Sequence, residues 1–132
     1  DWMPEAIEIY NQNCTDKIGI FKLPLRFMIF HDAYHYFEAR FGVEAVGALT
    51  PGDATAPSPA RLARLRDGIE QEQVNCVFTE PQFNMNLIEA VVEGTDTRIE
   101  VLDPMGVNLA PGPELYADLL LQMARAMSGC AK

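Results

Sequence analysis

The sequence predicts an α/β fold, a three-layer lobe with a four-stranded parallel sheet flanked by helices. From residue 26 onward, short β-branched or aromatic runs alternate with stretches of helical period, the pattern of βα units around a parallel sheet. The first run, Arg26 to His31, is almost continuously apolar, as a strand covered on both faces must be. The chain has 132 residues, 48% of them apolar, the size and composition of one domain with a real core.

Each element has a local signal. After the strand ending at His31, Asp32 is placed to cap a helix that carries Tyr34, Phe37 and Phe41 on one face and stops at Gly42. The second strand is read at Glu44 to Leu49, followed by a Pro/Gly/Ala/Thr loop from Pro51 to Pro57. Ser58 and Pro59 fit the N-cap and first position of a helix with Leu62, Leu65 and Ile69 on its apolar face. The third strand is Asn75 to Thr79, ended by Glu80-Pro81, and the next helix carries Leu87, Ile88, Val91 and Val92 before Gly94. A fourth strand, Arg98 to Leu102, ends in Asp103-Pro104; a loop from Gly106 to Pro113 leads to a last helix with Leu115, Leu119, Met123 and Met127 in register. Residues 1–25 do not fit the alternation, although Pro4 to Asn11 has helical character and Gly19 to Leu25 extended character. They are read as an N-terminal extension, and 26–132 as the βα lobe.

Composition removes several functions. A net charge of -9 and a pI near 4.5 leave no phosphate-neutralising surface, so nucleic acid and anionic membranes are not expected partners. No apolar run approaches the roughly 20 residues of a bilayer span. The chain opens with Asp1 and shows no secretion-signal order, so it reads as processed or as a cut piece. Cys14, Cys76 and Cys130 form no CxxC pair and no zinc-finger cluster. At this level one bridge in any of three pairings, or none, stays open.

In open parallel sheets, ligands sit beyond the carboxyl ends of the strands, where strand order reverses. That edge collects His31-Asp32 from the first strand, Glu80 from the third and Asp103 from the fourth. Imidazole nitrogen with carboxylate oxygen is the donor mixture of a zinc or manganese site. Blander roles compete: a strand-end histidine is commonly a hydrogen-bonded core residue, Asp32 an N-cap, and Glu80 a partner for loop amides. His35 follows His31 at helical spacing, but His31 still belongs to the strand or turn, so a shared helical face is not expected; His35 is read as a neighbour of Tyr34 and Tyr36. Phosphate loops and nucleophile elbows are absent. A small metal-dependent hydrolase using Asp32, Glu80 and Asp103 around magnesium is the alternative, weakened because Lys17, Lys22 and Lys132 all lie outside the βα alternation. An interaction module without metal, with His31 simply packed, is a third reading.

Several segments in order resemble one family. Phe30-His31-Asp32-Ala33-Tyr34 with Tyr36-Phe37-Glu38, Cys76-Val77-Phe78 with Glu80-Pro81-Gln82-Phe83, Leu102-Asp103-Pro104 with Gly106, and Cys130 resemble the C-terminal lobe of ZnuA-type periplasmic zinc-binding proteins, the solute-binding subunits of ABC zinc importers. The match runs from about Pro24 to Cys130. The resemblance implies a binder rather than an enzyme, working in the periplasm. It would close around zinc and hand it to an inner-membrane ABC permease, with half of the metal site supplied by an N-terminal lobe that this chain lacks. It implies His31 as a metal ligand, Asp103 as a ligand or helper, and a disulfide between Cys76 and Cys130; Glu80 and Asp32, at the same strand-end edge, are read as supporting residues. Residues 1–23 do not resemble the helix that joins the two lobes, and Cys14 has no counterpart. Zinc-versus-manganese selectivity and oligomeric state are not legible at this level.

Overall fold

Period-two alternation along the central strands sorts the core into two layers, and a computed structural model of the chain describes them through residues 25–50 and 57–130. The strands are β1 (Phe27–His31), β2 (Gly47–Thr50), β3 (Cys76–Thr79) and β4 (Arg98–Val101). The helices are α1 (His35–Phe41), α2 (Pro59–Gln71), α3 (Met85–Val92) and α4 (Leu115–Cys130). Phe27 and Ile29 of β1, with Cys76 and Phe78 of β3, face one side and pack against Tyr34 and Phe37 beside α1 and Met123 and Met127 of α4. Met28, Phe30 and Val77 face the other side, against Leu65 and Ile69 of α2 and Ile88 and Val91 of α3. A sheet apolar on both faces needs helices on both, which makes the three layers.

All strands are parallel in the order β2-β1-β3-β4. The chain moves from β1 outward to β2, then crosses back to the far side of β1 for β3. Strand order therefore reverses between β1 and β3, where their carboxyl ends open a crevice. Ile29 pairs with Phe78 in the β1–β3 register, and continuing it two residues sets His31 beside Glu80. Both side chains then point to the α1/α4 side, the face that Ile29 and Phe78 already occupy.

Local signals fix most boundaries. Ser58 caps α2, its hydroxyl accepting from the Arg61 amide, with Pro59 in the first turn. Gly42 ends α1 in the left-handed region at φ 66°, its amide donating to the Glu38 carbonyl. Cys76 and Cys130 form a disulfide joining the first residue of β3 to the last of α4.

Two readings need correction. Asp32 does not cap α1: the N-cap is Tyr34, without a side-chain hydrogen bond, because the Tyr34 ring is drawn into the core and the helix starts only after it. β2 begins at Gly47 rather than Glu44, because the preceding residues close the return from α1: Val43 N–H donates to the Glu38 carbonyl and Ala45 N–H to the Glu38 carboxylate. The possible helix at Pro4 to Asn11, the extended stretch before Leu25, Cys14 and residues 51–56 of the Pro51 to Pro57 loop lie outside the described residues.

Candidate metal centre

His31 is the last residue of β1, half-buried, at the point where strand order reverses. Its Nδ1 lies 2.6 Å from Oε1 of Glu80, which directly follows β3 and is 6% exposed. Nδ1 is buried, yet its in-plane N–H direction misses that oxygen, so the contact is a close electrostatic approach rather than an aligned hydrogen bond. Whatever its direction, an unprotonated Nδ1 carries negative partial charge and would be repelled by the carboxylate at this range, whereas a protonated one is attracted. The proton therefore belongs on Nδ1, and the lone pair of the neutral ring on Nε2.

Tyr34 completes the cluster from the start of α1. Its hydroxyl donates to Glu80 Oε1 at 2.8 Å and lies 3.4 Å from the Leu102 carbonyl, so one phenol spans the ends of β3 and β4. Burial, then the hydrogen bond to Glu80, then the negative charges of Glu80 and Asp103 push the phenol well above its ordinary value, keeping it a donor. Phe83 meets His31 edge-on with ring centroids 5.4 Å apart and stacks on Phe30, which seats the imidazole from a third direction.

Asp103 follows β4 and is 2% exposed. One of its oxygens accepts from the Met105 and Gly106 amides, the other from the Val107 amide. A carboxylate has about four lone-pair sites, so roughly one remains for a further partner. Gly106 takes φ 65°, which a side chain would strain, and this lets the loop fold back onto Asp103.

The sequence brought four strand-end residues to this edge, and the structure sorts them. His31 and Glu80 touch, and Tyr34 joins Glu80 to the end of β4. Asp32 turns away: its carboxylate lies 3.1 Å from Nε2 of His35, whose Nδ1 is 3.5 Å from Glu38. Asp32, His35 and Glu38 stand three residues apart and form the one grouping of three or more metal-donor side chains within mutual reach among the described residues. The sequence reading gave His35 no ligand role and missed this grouping, in which His35 is exposed; the i, i+3 spacing of the three was the available signal. Glu38 has a structural task, accepting from Ala45 at 2.7 Å. With Asp32 turned to His35 and Asp103 holding three amides, the carboxylates of a magnesium-dependent hydrolase do not converge.

An apolar groove of about 610 Å³ runs between α1 and α4 past Tyr34, Tyr36, Phe41, Tyr116 and Leu120. It is a greasy slot beside the polar cluster, with the wrong chemistry for an ion.

Known proteins resemble this chain in sequence and in fold. Residues 10–130 match the family described as zinc-uptake complex component A, periplasmic, or ZnuA. The high-affinity zinc uptake system protein ZnuA of Brucella abortus is 45% identical over 104 residues, 79% of this chain and 31% of that protein. The protein of the same name from Paracoccus denitrificans is 45% identical over 106 residues, 80% of this chain and 32% of that protein. A crystal structure of ZnuA superimposes with a TM-score of 0.73 at 23% identity, covering 95% of this chain and 44% of that one. The chain thus spans about a third of the length of these curated relatives. With the motifs in order, a parallel sheet reversing between β1 and β3, and a family match over nearly its whole length, the chain belongs to the ZnuA family of periplasmic zinc-uptake components.

Proposed function

We propose that this chain is the zinc-binding lobe of a periplasmic solute-binding protein that captures zinc and delivers it to an ABC permease in the inner membrane. It acts as a binder and not as an enzyme. Zinc is cargo: His31 Nε2 is its ligand from this lobe, Asp103 helps and Glu80 backs the histidine, while Asp32, expected in a supporting position, is turned to His35. Residues 26–132 form the lobe and 1–25 an extension. The observation that carries the reading is His31 at the strand-reversal edge with its Nδ1 2.6 Å from the Glu80 carboxylate, an anion that favours the proton on Nδ1 and leaves Nε2 for a metal.

Ligand arithmetic bounds the strength. Tetrahedral zinc takes four donors, and this lobe offers one imidazole and one or two carboxylates. The remaining donors belong to the part of the relatives' length that this chain does not span, and without them the chain binds weakly, since each further donor on one scaffold acts at high effective concentration.

Calorimetric titration with zinc tests this on the chain and on His31→Ala, Asp103→Asn and His35→Ala. His31→Ala is expected to lose at least about tenfold in affinity, worth roughly 1.4 kcal/mol. Asp103→Asn, which keeps an acceptor for the loop amides, should lose less, and His35→Ala should match the wild type. If His35→Ala abolishes binding while His31→Ala does not, the site is at Asp32, His35 and Glu38 and this reading is overturned.

A further inference from the structure

We infer that Tyr34 is a positioning residue for the metal-binding histidine: its hydroxyl pins the Glu80 carboxylate against His31 Nδ1, so that the ring offers Nε2 to an incoming divalent cation. The inference rests on the reading of His31 as a zinc ligand and adds what holds that ligand in its productive form.

The geometry separates the tasks of the three side chains. A neutral imidazole presents a lone pair at one nitrogen, and the partner of the other nitrogen decides which. Glu80 Oε1 is that partner, 2.6 Å from Nδ1. His31 does not hold Glu80 in place, because its N–H is not aligned with the oxygen. Tyr34 does: its O–H meets the same Oε1 at 2.8 Å from a ring that is 3% exposed. The ring cannot wander, because the Tyr34 side chain belongs to the core formed by Phe27, Ile29, Phe78 and Leu102. Its hydroxyl is also steadied by the Leu102 carbonyl. The chain of placement runs from the core to Tyr34, from Tyr34 to Glu80, and from Glu80 to the tautomer of His31. Removal of the phenolic oxygen leaves a buried carboxylate short of its neutral donor and free to turn, and the tautomer loses its bias.

The test reads the tautomer directly and without metal. Long-range proton–nitrogen correlation spectra of the ¹⁵N-labelled chain, taken where imidazole is neutral, should show His31 protonated on Nδ1. Exposed His35 serves as the internal comparison. In Tyr34→Phe, His31 should populate both tautomers, and zinc affinity should fall about tenfold, the lower end for loss of a group behind a ligand. Glu80→Gln, whose amide can turn either a donor or an acceptor to Nδ1, should do the same. The double variant should bind no worse than either single one, because the two act as a unit. A Tyr34→Phe chain with a pure Nδ1–H tautomer and wild-type affinity overturns the inference. If Tyr34→Phe does not fold, the same result in Glu80→Gln overturns it. His31→Ala separates the two levels: unchanged zinc affinity there removes the metal-site reading, while the metal-free tautomer still decides the role of Tyr34.

Discussion

Reducing the Cys76–Cys130 disulfide should cost this chain a large part of its stability, and the size follows from where the bridge sits. It spans a sequence separation of 54 residues, from the first residue of β3 to the last of α4. Closing a loop of about 55 residues removes about 14 cal/mol/K from the unfolded chain, or about 4 kcal/mol at room temperature, an upper value because strain is ignored. Against typical net stabilities of about 5–15 kcal/mol this is a substantial share. At about 2.1 cal/mol/K of unfolding entropy per residue, it corresponds to a fall in melting temperature of roughly 10–15 °C. Reduction is the cleaner perturbation, since both sulfurs stay in the core and no cavity opens. A Cys76→Ala, Cys130→Ala chain adds a packing loss to the lost cross-link. Native contacts still seat the end of α4 after reduction, through Met123 and Met127 and through Arg98, which donates to the Gly129 and Cys130 carbonyls. The reduced chain should therefore remain folded and simply be easier to unfold. Urea denaturation with and without reductant measures it: the midpoint should fall and the slope rise, because the uncrosslinked unfolded chain exposes more surface. A loss under about 1 kcal/mol with an unchanged slope would refute the loop-closure reasoning. Peptide mapping that placed Cys14 in a bridge would overturn the pairing.

Three further outcomes follow from single groups. The Tyr34 phenol is raised above its usual value near 10, so its protonated form stabilises the fold below about pH 10, and that contribution drains as pH climbs toward the folded-state value. Stability of the wild type relative to Tyr34→Phe should therefore fall above about pH 10, by at most about 1.4 kcal/mol per unit; a constant difference in denaturant titrations would contradict the shift. Glu38→Ala orphans the Ala45 amide at the turn into β2 and should cost about 1.5–3 kcal/mol by urea denaturation, with Glu38→Gln costing less because it keeps an acceptor. Ser58→Ala removes the N-cap of α2 and should cost about 1 kcal/mol, with Ser58→Asp restoring it, read as melting temperatures.

The fold was legible where a local rule governed it. Gly42 and Gly94 both take positive φ and stop their helices, and Ser58-Pro59 starts α2, because each device acts within one turn of chain. The continuous apolar run at β1 announced a strand buried on both faces, and Phe27 to Phe30 are all buried. The reading slipped where a distant contact outranked a local preference. Asp32 has the side chain of an N-cap, but Tyr34 is pulled under the sheet edge toward Glu80, 46 residues away, and the helix waits until the ring is placed. Glu44 to Val46 were read as strand, yet Glu38 claims the Val43 and Ala45 amides for the turn, which pushes β2 along to Gly47.

The site shows the same division between what a chain states locally and what only pairing supplies. Strand ends are local, so His31, Glu80 and Asp103 could be assigned to one edge by the rule for parallel sheets alone. Which of them touch depends on register: an offset of 49 residues between β1 and β3, seen in the Ile29–Phe78 pair, puts Glu80 rather than Asp103 against His31. No periodicity encodes that offset. The fate of Asp103 depended on the loop after it, where Gly106 in the left-handed region turns three amides onto the carboxylate and uses most of its accepting capacity. Tyr34 was read from spacing as a core residue of the first helix; it is a core residue, but at the N-cap of α1. Its hydroxyl is what spacing cannot see, and a buried phenol needs a partner. In this lobe the core position and the polar handle are the same residue, so the packing that stabilises the α1/α4 face also aims the carboxylate behind His31.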